Sequence, residues 1–402
     1  MKVAVIGGGA AGFFSAFSVK EHHPEAEVMI VEKSNKVLAK VKVSGGGRCN
    51  VTNGCRSIAE LAEAYPRGGR FLKKAFVVFH TKHTHDWFTS RGVKLVTQED
   101  NCVFPESQSS QTIIDCFLDE AKKYNIAIKT SKGVKALSQV ASQWKLDFLD
   151  EDSQFFDKVI VCVGGNPKLA GYEWLQNLGL KIEPPVPSLF TFNMPSEPIK
   201  ALMGIVVEPA MANIQSTKLK SDGPLLITHW GMSGPAILKL SAFGARVLSE
   251  SQYNFKTQVN WSNEPNFEIV MAAMEQIVKE HPQKMVSNIK PFGLSERLWH
   301  FLLEKIEIPL SKKWSELGKK GLNKLVNVLV NDIYEVSGKT TFKEEFVTCG
   351  GVSLEQIDVQ TMQSKVCPGL YFAGEVMDID GITGGYNFQA AWTTGFIAGK
   401  LG

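Results

Sequence analysis

Apolar and polar positions follow a different rhythm in each part of this chain. Near the start, Val3-Ala4-Val5-Ile6 is an unbroken apolar run, followed at once by Gly7-Gly8-Gly9-Ala10-Ala11-Gly12. A short apolar run stopped by glycine reads as a buried strand. Phe13–Lys20 can continue as a helix, Pro24 lies beyond its end, and Val28–Val31 is a second apolar run with Glu32 at its tip. Phe155–Val163 predicts a third buried strand, ending in Gly164-Gly165. Gly369–Glu375 predicts a fourth, ending in a glycine and an acid, and Phe388–Leu401 a closing helix. From Ser188 to Asn260 the pattern is short strands with turns, as in a small barrel. From Phe267 to Val330 apolar residues recur at helical spacing of three and four. Arg70–Arg91 reads as one amphipathic helix. Pro184, Pro185 and Pro187 mark an exit where a strand or helix does not easily continue.

Strand, glycine turn, helix, strand and acid, all within about 30 residues, form a dinucleotide-binding fingerprint. Gly7 permits the tight turn. Gly9 lets a pyrophosphate approach the backbone, and Gly12 lets helix and strand pack closely. The helix start, with Ala10 and Ala11, turns free N–H groups and a positive dipole end toward phosphate. The Glu32 carboxylate can accept from both ribose hydroxyls and would repel a 2′-phosphate. Lys33 beside it joins the candidate contacts.

The fingerprint alone leaves NAD and FAD open. Lys42–Asn53 holds three consecutive glycines, then Arg48, Cys49, Asn50 and Asn53, a loop suited to lay backbone N–H groups against a polar ring. Gly46, Arg48, Cys49 and Asn50 are candidate contacts there. Val134 and Gly164 are candidates further on, with Gly374 and Glu375 at the end of the fourth strand. Gly384-Gly385-Tyr386-Asn387 leads into the closing helix. Gly385, Asn387 and Phe388 would set N–H groups near the edge of a flavin that gains negative charge on reduction. Glycine at 385 would keep that approach clear. This favours non-covalent FAD.

Five segments carry a family resemblance: VIGGGAAG with Glu32, KVSGGGRCNVTN, ITHWGMSGPAIL (227–238), VTCGGVSLEQID (347–358) and GLYFAGEVMDIDGITGGYNFQAAWTTG (369–395). The chain resembles the HI0933-like flavoproteins, often labelled NAD(FAD)-utilising dehydrogenases or aminoacetone-oxidase-like enzymes. Cys349 departs from the small residue, such as Ala, that many relatives carry. The resemblance implies an α/β fold, with a glutathione-reductase-like Rossmann-type FAD domain in two segments, 1–187 and 346–402. An inserted region, 188–345, would be barrel-like over 188–260 and mainly helical over 261–345. It would roof one flavin face. Arg48, Asn50, Asn53, Asn387, His229, Trp230 and Ser233 are then candidates to line the substrate, although Ser233 better suits capping the helix near Gly234-Pro235.

Composition changes this picture little. The 402 residues carry 44 Lys and Arg against 41 Asp and Glu, a net charge of +3. So small a charge gives no reason to expect nucleic acid or a membrane as partner; a small-molecule substrate is expected. The apolar start is too short for a signal peptide, and no stretch reaches the roughly 18 apolar residues of a membrane span. The seven cysteines form no CxxC pair and read as reduced thiols in a cytoplasmic protein. Cys49 could have its pKa lowered by the charge of neighbouring Arg48. His80, His83 and His85 lack further ligands, so no metal is expected.

A single dinucleotide fingerprint means that NAD(P)H, if it is the reductant, binds only transiently, and it leaves room for oxygen as the acceptor. Three functions follow. One is an FAD oxidoreductase of amine-oxidase or enone-reductase type, moving a hydride between a small metabolite and flavin N5. The second is an FAD-dependent RNA-modifying enzyme, for which the lysines at 312–313 and 319–324 are the candidate basic face. The third is a flavin-binding protein without turnover. The sequence leaves the catalytic acid or base and the oligomeric state open.

Overall fold

The computed structural model describes residues 1–149, 152–340 and 347–402. The chain divides into two units, Met1–Ser188 with Phe342–Gly402, and Leu189–Thr341. The expected segment ends at residues 345 and 346 lie outside the described residues.

The first unit is built on a parallel sheet in the order Leu370–Phe372, Lys158–Val161, Lys2–Ile6, Glu27–Val31, Ala127–Lys129. Val5 sits opposite Ile30 on one side and Ile160 on the other. Val3, Ala4 and Val5 are wholly buried, as a central strand of a parallel sheet requires. The helices Ala10–His22 and Tyr386–Gly399 lie against each other. A Cβ at Gly395 would stand 2.9 Å from the Ala11 carbonyl oxygen, and one at Gly399 2.5 Å from that of Ser15. Only glycine permits this approach. Phe13, Phe14, Phe17, Trp87, Phe117 and Trp392 fill the adjoining core, for example with Phe14 and Trp392 ring centres 5.3 Å apart.

Three sequence expectations change. The proline segment is itself a strand, Ile182–Ser188, paired antiparallel to Val347–Val352. Its register shifts between Glu183 and Val186, so Pro184 and Pro185 sit at an irregularity where no ladder N–H is needed. The run 155–163 is two strands, Gln154–Phe156 and Lys158–Val161, broken at Asp157, whose carboxylate accepts from the Lys2 N–H at 2.7 Å. The helix expected over 70–91 is two, Gly69–Ala75 and Thr81–Thr89. His80 caps the second one, and His83 Nδ1 accepts from the His80 N–H.

The second unit carries a seven-stranded sheet, ordered Asp332–Ser337, Asn254–Asn260, Val206–Ile214, Lys220–Ile227, Gly231–Ser233, Thr191–Asn193, Lys339–Thr340. Its first and last members are consecutive in the chain, joined at Gly338, whose carbonyl accepts from Asn193 N–H. The sheet therefore curls back on itself. The helices Pro235–Glu250, Phe267–Glu280, Glu296–Lys305 and Gly318–Val330 belong to this unit. Its core includes Trp261, Trp299 and Trp314.

Candidate functional site

The glycine turn is shaped by contacts that no other residue would allow. Gly7 has φ +113°, and a Cβ there would lie 2.4 Å from the Cys162 carbonyl oxygen. At Gly12 a Cβ would lie 1.9 Å from the Gly7 carbonyl oxygen. Gly9 differs, since a Cβ there would meet nothing within 4 Å. Gly9 is the N-cap of the helix Ala10–His22 and supplies no side-chain cap. The N–H groups of Ala10, Ala11 and Gly12 have no partner in the helix and are available beside that open space.

Glu32 stands at the adjoining strand end. One carboxylate oxygen accepts from Gly8 N–H and the other from Ser34 N–H, each at 2.8 Å. Two lone-pair directions stay available for a ribose. Lys33 is exposed, and Lys132 N–H donates to the Glu32 carbonyl, which brings Val134 to the same edge.

A second group of residues meets the turn from the C-terminal segment. A Cβ at Gly374, where φ is +77°, would stand 2.8 Å from Ala11 Cβ, and Gly374 N–H donates to Thr394 Oγ1. Glu375 accepts from Thr348 N–H at 2.8 Å and pairs with Lys40 at 2.9 Å. Gly164, with φ +74°, faces open space. The buried Thr348 Oγ1 has no hydrogen-bond partner among the described residues. Thr348 and Lys40 were not singled out from sequence; Thr348 lies in the VTCGG segment, but a lone threonine gives no spacing signal.

The loop 45–50 faces the start of the closing helix. Gly46, at φ +67°, borders open space. Gly385 does not; a Cβ there would lie 2.3 Å from the Thr52 carbonyl oxygen and 2.8 Å from Asn50 Oδ1. Packing inside the protein by itself requires glycine at 385. Asn53 Nδ2 donates to the Gly384 carbonyl, and Asn50 Oδ1 accepts from Val103 N–H. The Asn387 side chain pairs with the backbone of Gly381 through both its atoms. Phe388 stacks on Trp392, their planes 9° apart.

Among the other candidates, Cys49 and Ser233 differ from expectation. Arg48 lies over the Phe104 ring at 4.1 Å and donates to the Gly45 carbonyl. The Cys49 thiol is fully buried, and burial pushes its pKa up to about 12, the reverse of the lowering expected from Arg48. Ser233 does not cap a helix. It lies in a strand and its Oγ accepts from Thr191 Oγ1, while Gly234 takes the N-cap. The His229 and Trp230 rings lie 4.6 Å apart, tilted by 43°, with Trp230 44 % exposed.

Two further features emerge only in three dimensions. Arg67 pairs with Asp380, which is wholly buried and also accepts from Ser188 Oγ at 2.7 Å. Burial raises the Asp380 carboxyl above its ordinary value, opposed by the Arg67 charge and hydrogen bonds. Tyr386 is half-buried at the start of the closing helix, and its hydroxyl makes no hydrogen bond among the described residues. Burial pushes that phenol up to about 12, with Cys55, Cys102 and Asp100 adding to the shift.

The open spaces at Gly9, Gly46 and Gly164, the unspent N–H groups and the orphaned Thr348 hydroxyl suit a long, polar, two-phosphate cofactor such as FAD. Among the described residues no helix is long and apolar enough to cross a membrane.

The 3-dehydro-bile acid delta(4,6)-reductase of Clostridium scindens is 26% identical, covering 99% of this chain and 98% of its own. The ribosomal RNA dihydrouridine synthase of Escherichia coli is 28% identical, covering 98% and 96%. The solved 3-ketosteroid-Δ4-(5α)-dehydrogenase of Rhodococcus jostii shares the fold, with a TM-score of 0.50 at 12% identity over 99% of this chain and 96% of its own. The description "HI0933-like protein Rossmann domain" matches residues 1–401. The chain belongs to this HI0933-like family of FAD-dependent oxidoreductases.

Proposed function

We propose that this chain reduces a carbon–carbon double bond conjugated to a carbonyl. The names of its full-length relatives describe one chemistry, since a delta(4,6)-reductase of a 3-dehydro steroid and a dihydrouridine synthase each saturate a ring double bond activated by a carbonyl. Bound FAD in its reduced form supplies the hydride. The protein must supply a proton to the carbon next to the carbonyl.

The observation that carries this reading is Tyr386. Its phenol is held in the protonated form, has no hydrogen bond among the described residues, and stands at the helix start that meets the 45–53 loop. Tyr386 Oη is the proposed proton donor. Lys40 and Glu375 orient one another beside Thr348 and hold the ribityl side of the cofactor. Glu32 holds the adenosine ribose. NAD(P)H meets the flavin transiently as reductant.

The test is an anaerobic turnover assay of the FAD-loaded protein with NADPH or NADH, offering a 4-en-3-one steroid and a uridine-containing RNA. Formation of the saturated ketone or of dihydrouridine supports the reading. Oxidation of an amine with release of peroxide, and no saturation of either compound, overturns it.

A further inference from the structure

We infer that the lysine-rich face of residues 284–324 docks the phosphate backbone of an RNA. This rests on the reading above, because the RNA would present the conjugated ring to be reduced.

The small net charge hides an uneven distribution. Residues 1–188 with 342–402 hold 27 Lys and Arg against 27 Asp and Glu, whereas residues 189–341 hold 17 against 14. Within the latter, residues 281–325 hold 9 against 4, a local charge of +5. This is the basic segment of its own unit; residues 33–82 of the other unit, at 11 against 2, are basic too.

The fold draws that segment together. Met285 and Lys313 form an antiparallel bridge; Val286 N–H donates to the Lys312 carbonyl, and Trp314 N–H to that of Lys284. Lys284 therefore lies beside Lys312 and Lys313, although 28 positions separate it from the nearer one in the sequence. Trp314, fully buried, anchors this turn, which leads directly into the helix Gly318–Val330. Lys319 and Lys320 occupy the first turn of that helix and Lys324 the next. Leu322, Leu325, Val326 and Leu329 fix the helix by their burial, so the three lysines lie on its exposed side.

Two features mark this face as unsatisfied by the protein itself. First, Lys284, Lys290, Lys313, Lys319, Lys320 and Lys324 are all exposed, and none forms an ion pair among the described residues. Lys313 reaches only the Gln283 amide, and Lys324 only the Ile306 carbonyl. Glu316, the one carboxylate between residues 308 and 325, accepts from the Lys313 N–H. Some surface cations elsewhere are paired, as in Lys2–Glu27, Lys82–Asp86 and Lys94–Glu106, whereas Lys36, Lys74 and Lys168 are exposed and, like this face, form no ion pair among the described residues. Second, lysines in the first turn of a helix stand at the positive end of its dipole, a placement that favours an anion there. Two positions after Lys290, Phe292 holds a left-handed φ of +54° and is 39 % exposed. An exposed aromatic near a cation suits an unpaired base. The class of partner follows from charge complementarity: a repeated phosphate, spaced along a chain, with bases to stack.

The test uses the FAD-loaded full chain and fluorescein-labelled 20-nucleotide oligouridine, with anisotropy titrations at several salt concentrations. Wild type should show log K falling with log salt at about −0.7 per phosphate neutralised on a single strand. The variant Lys284→Gln/Lys313→Gln/Lys319→Gln/Lys320→Gln should have a slope shallower by about 3 and bind at least about tenfold more weakly at the lowest salt. Its reduction of a small 4-en-3-one should match wild type, since these side chains lie outside the proposed cofactor contacts. Equal slopes for the two proteins, each with flavin bound, overturn the docking face and leave the proposed reaction standing. Lysine-dependent RNA binding with no saturation of either compound upholds the docking face and fails the reaction. A wild-type slope no steeper than about −1 overturns the inference even if the variant does not fold. Binding to phosphatidylglycerol vesicles without binding to oligouridine also overturns it.

Discussion

Replacing Gly9 with alanine separates a ligand's space from a packing requirement. Gly9 has φ −95° and ψ −168°, extended backbone that alanine adopts without strain. The new methyl would meet nothing within 4 Å. Loss of glycine's freedom in the unfolded chain favours the variant by about 0.4–1 kcal/mol, and alanine's poorer standing at an N-cap offsets this, so the apo Tm should stay within about 2 °C of wild type. FAD binding should weaken. The methyl fills the space where pyrophosphate meets the unspent N–H groups of Ala10 and Ala11. Losing one charge-assisted hydrogen bond there costs about 1.5–3 kcal/mol, or roughly 10- to 150-fold in Kd. Gly12→Ala is the contrast, because its methyl would fall 1.9 Å from the Gly7 carbonyl oxygen and force the turn apart. That variant should lower the apo Tm. The assays are thermal unfolding of flavin-stripped protein and fluorescence titration with FAD. An unchanged Kd in Gly9→Ala, or an apo Tm that falls as far as in Gly12→Ala, would refute the assignment of this space to the cofactor.

Four more outcomes follow from the same geometry. Glu32→Gln keeps one acceptor but loses the charge, and should weaken FAD by about 10-fold or more while leaving the spectrum of bound flavin unchanged; an altered spectrum with an unaltered Kd would place Glu32 at the ring instead. Arg67→Met strands the buried Asp380 carboxylate and should cost about 3–5 kcal/mol by denaturant unfolding, with Arg67→Met/Asp380→Leu recovering most of it; a double variant as unstable as the single one would contradict this. Tyr386→Phe should slow saturation of the double bond by about 10²- to 10⁴-fold without slowing reduction of the flavin by NAD(P)H. In wild type, a donor with its pKa near 12 stays protonated as pH rises, so the rate should lose nothing to this group until pH approaches that value; a fall centred near pH 7 would assign the proton elsewhere. Cys49, buried with its thiol near 12, should resist iodoacetamide in the native protein, as mass spectrometry of the alkylated peptide would show.

The parts legible in the sequence are those specified by local pattern. The run Val3–Ile6, its glycine turn and Glu32 fall where the expected fingerprint places them, because a buried parallel strand leaves a continuous apolar signature. The strand Leu370–Phe372 and the closing helix were legible for the same reason. Features that depend on distant pairing were not. Ile182–Ser188 is a strand only because Val347–Val352 lies beside it and its prolines fall at a register shift. The Ser233 hydroxyl is claimed by Thr191, 42 positions away, so helix-start chemistry at Gly234-Pro235 misleads. Gly385 was correctly a place that only glycine fits, but the obstructing atom belongs to Thr52. The Lys312–Lys313 and Lys319–Lys324 runs were visible as charge. Their junction with Lys284 depends on hydrogen bonds that no local pattern encodes.

The central claim is that this protein carries a flavin whose hydride is delivered to a conjugated double bond. A single-turnover experiment tests it most directly. Protein loaded with FAD is reduced anaerobically with NADPH or NADH carrying deuterium at C4, then mixed in separate runs with a 4-en-3-one steroid and with uridine-containing RNA. The account expects the oxidised flavin absorbance to return on mixing with at least one of the two. The saturated product should carry deuterium on the ring carbon remote from the carbonyl and solvent hydrogen on the carbon beside it. Flavin that stays reduced with both compounds and reoxidises only on admission of oxygen would contradict the claim.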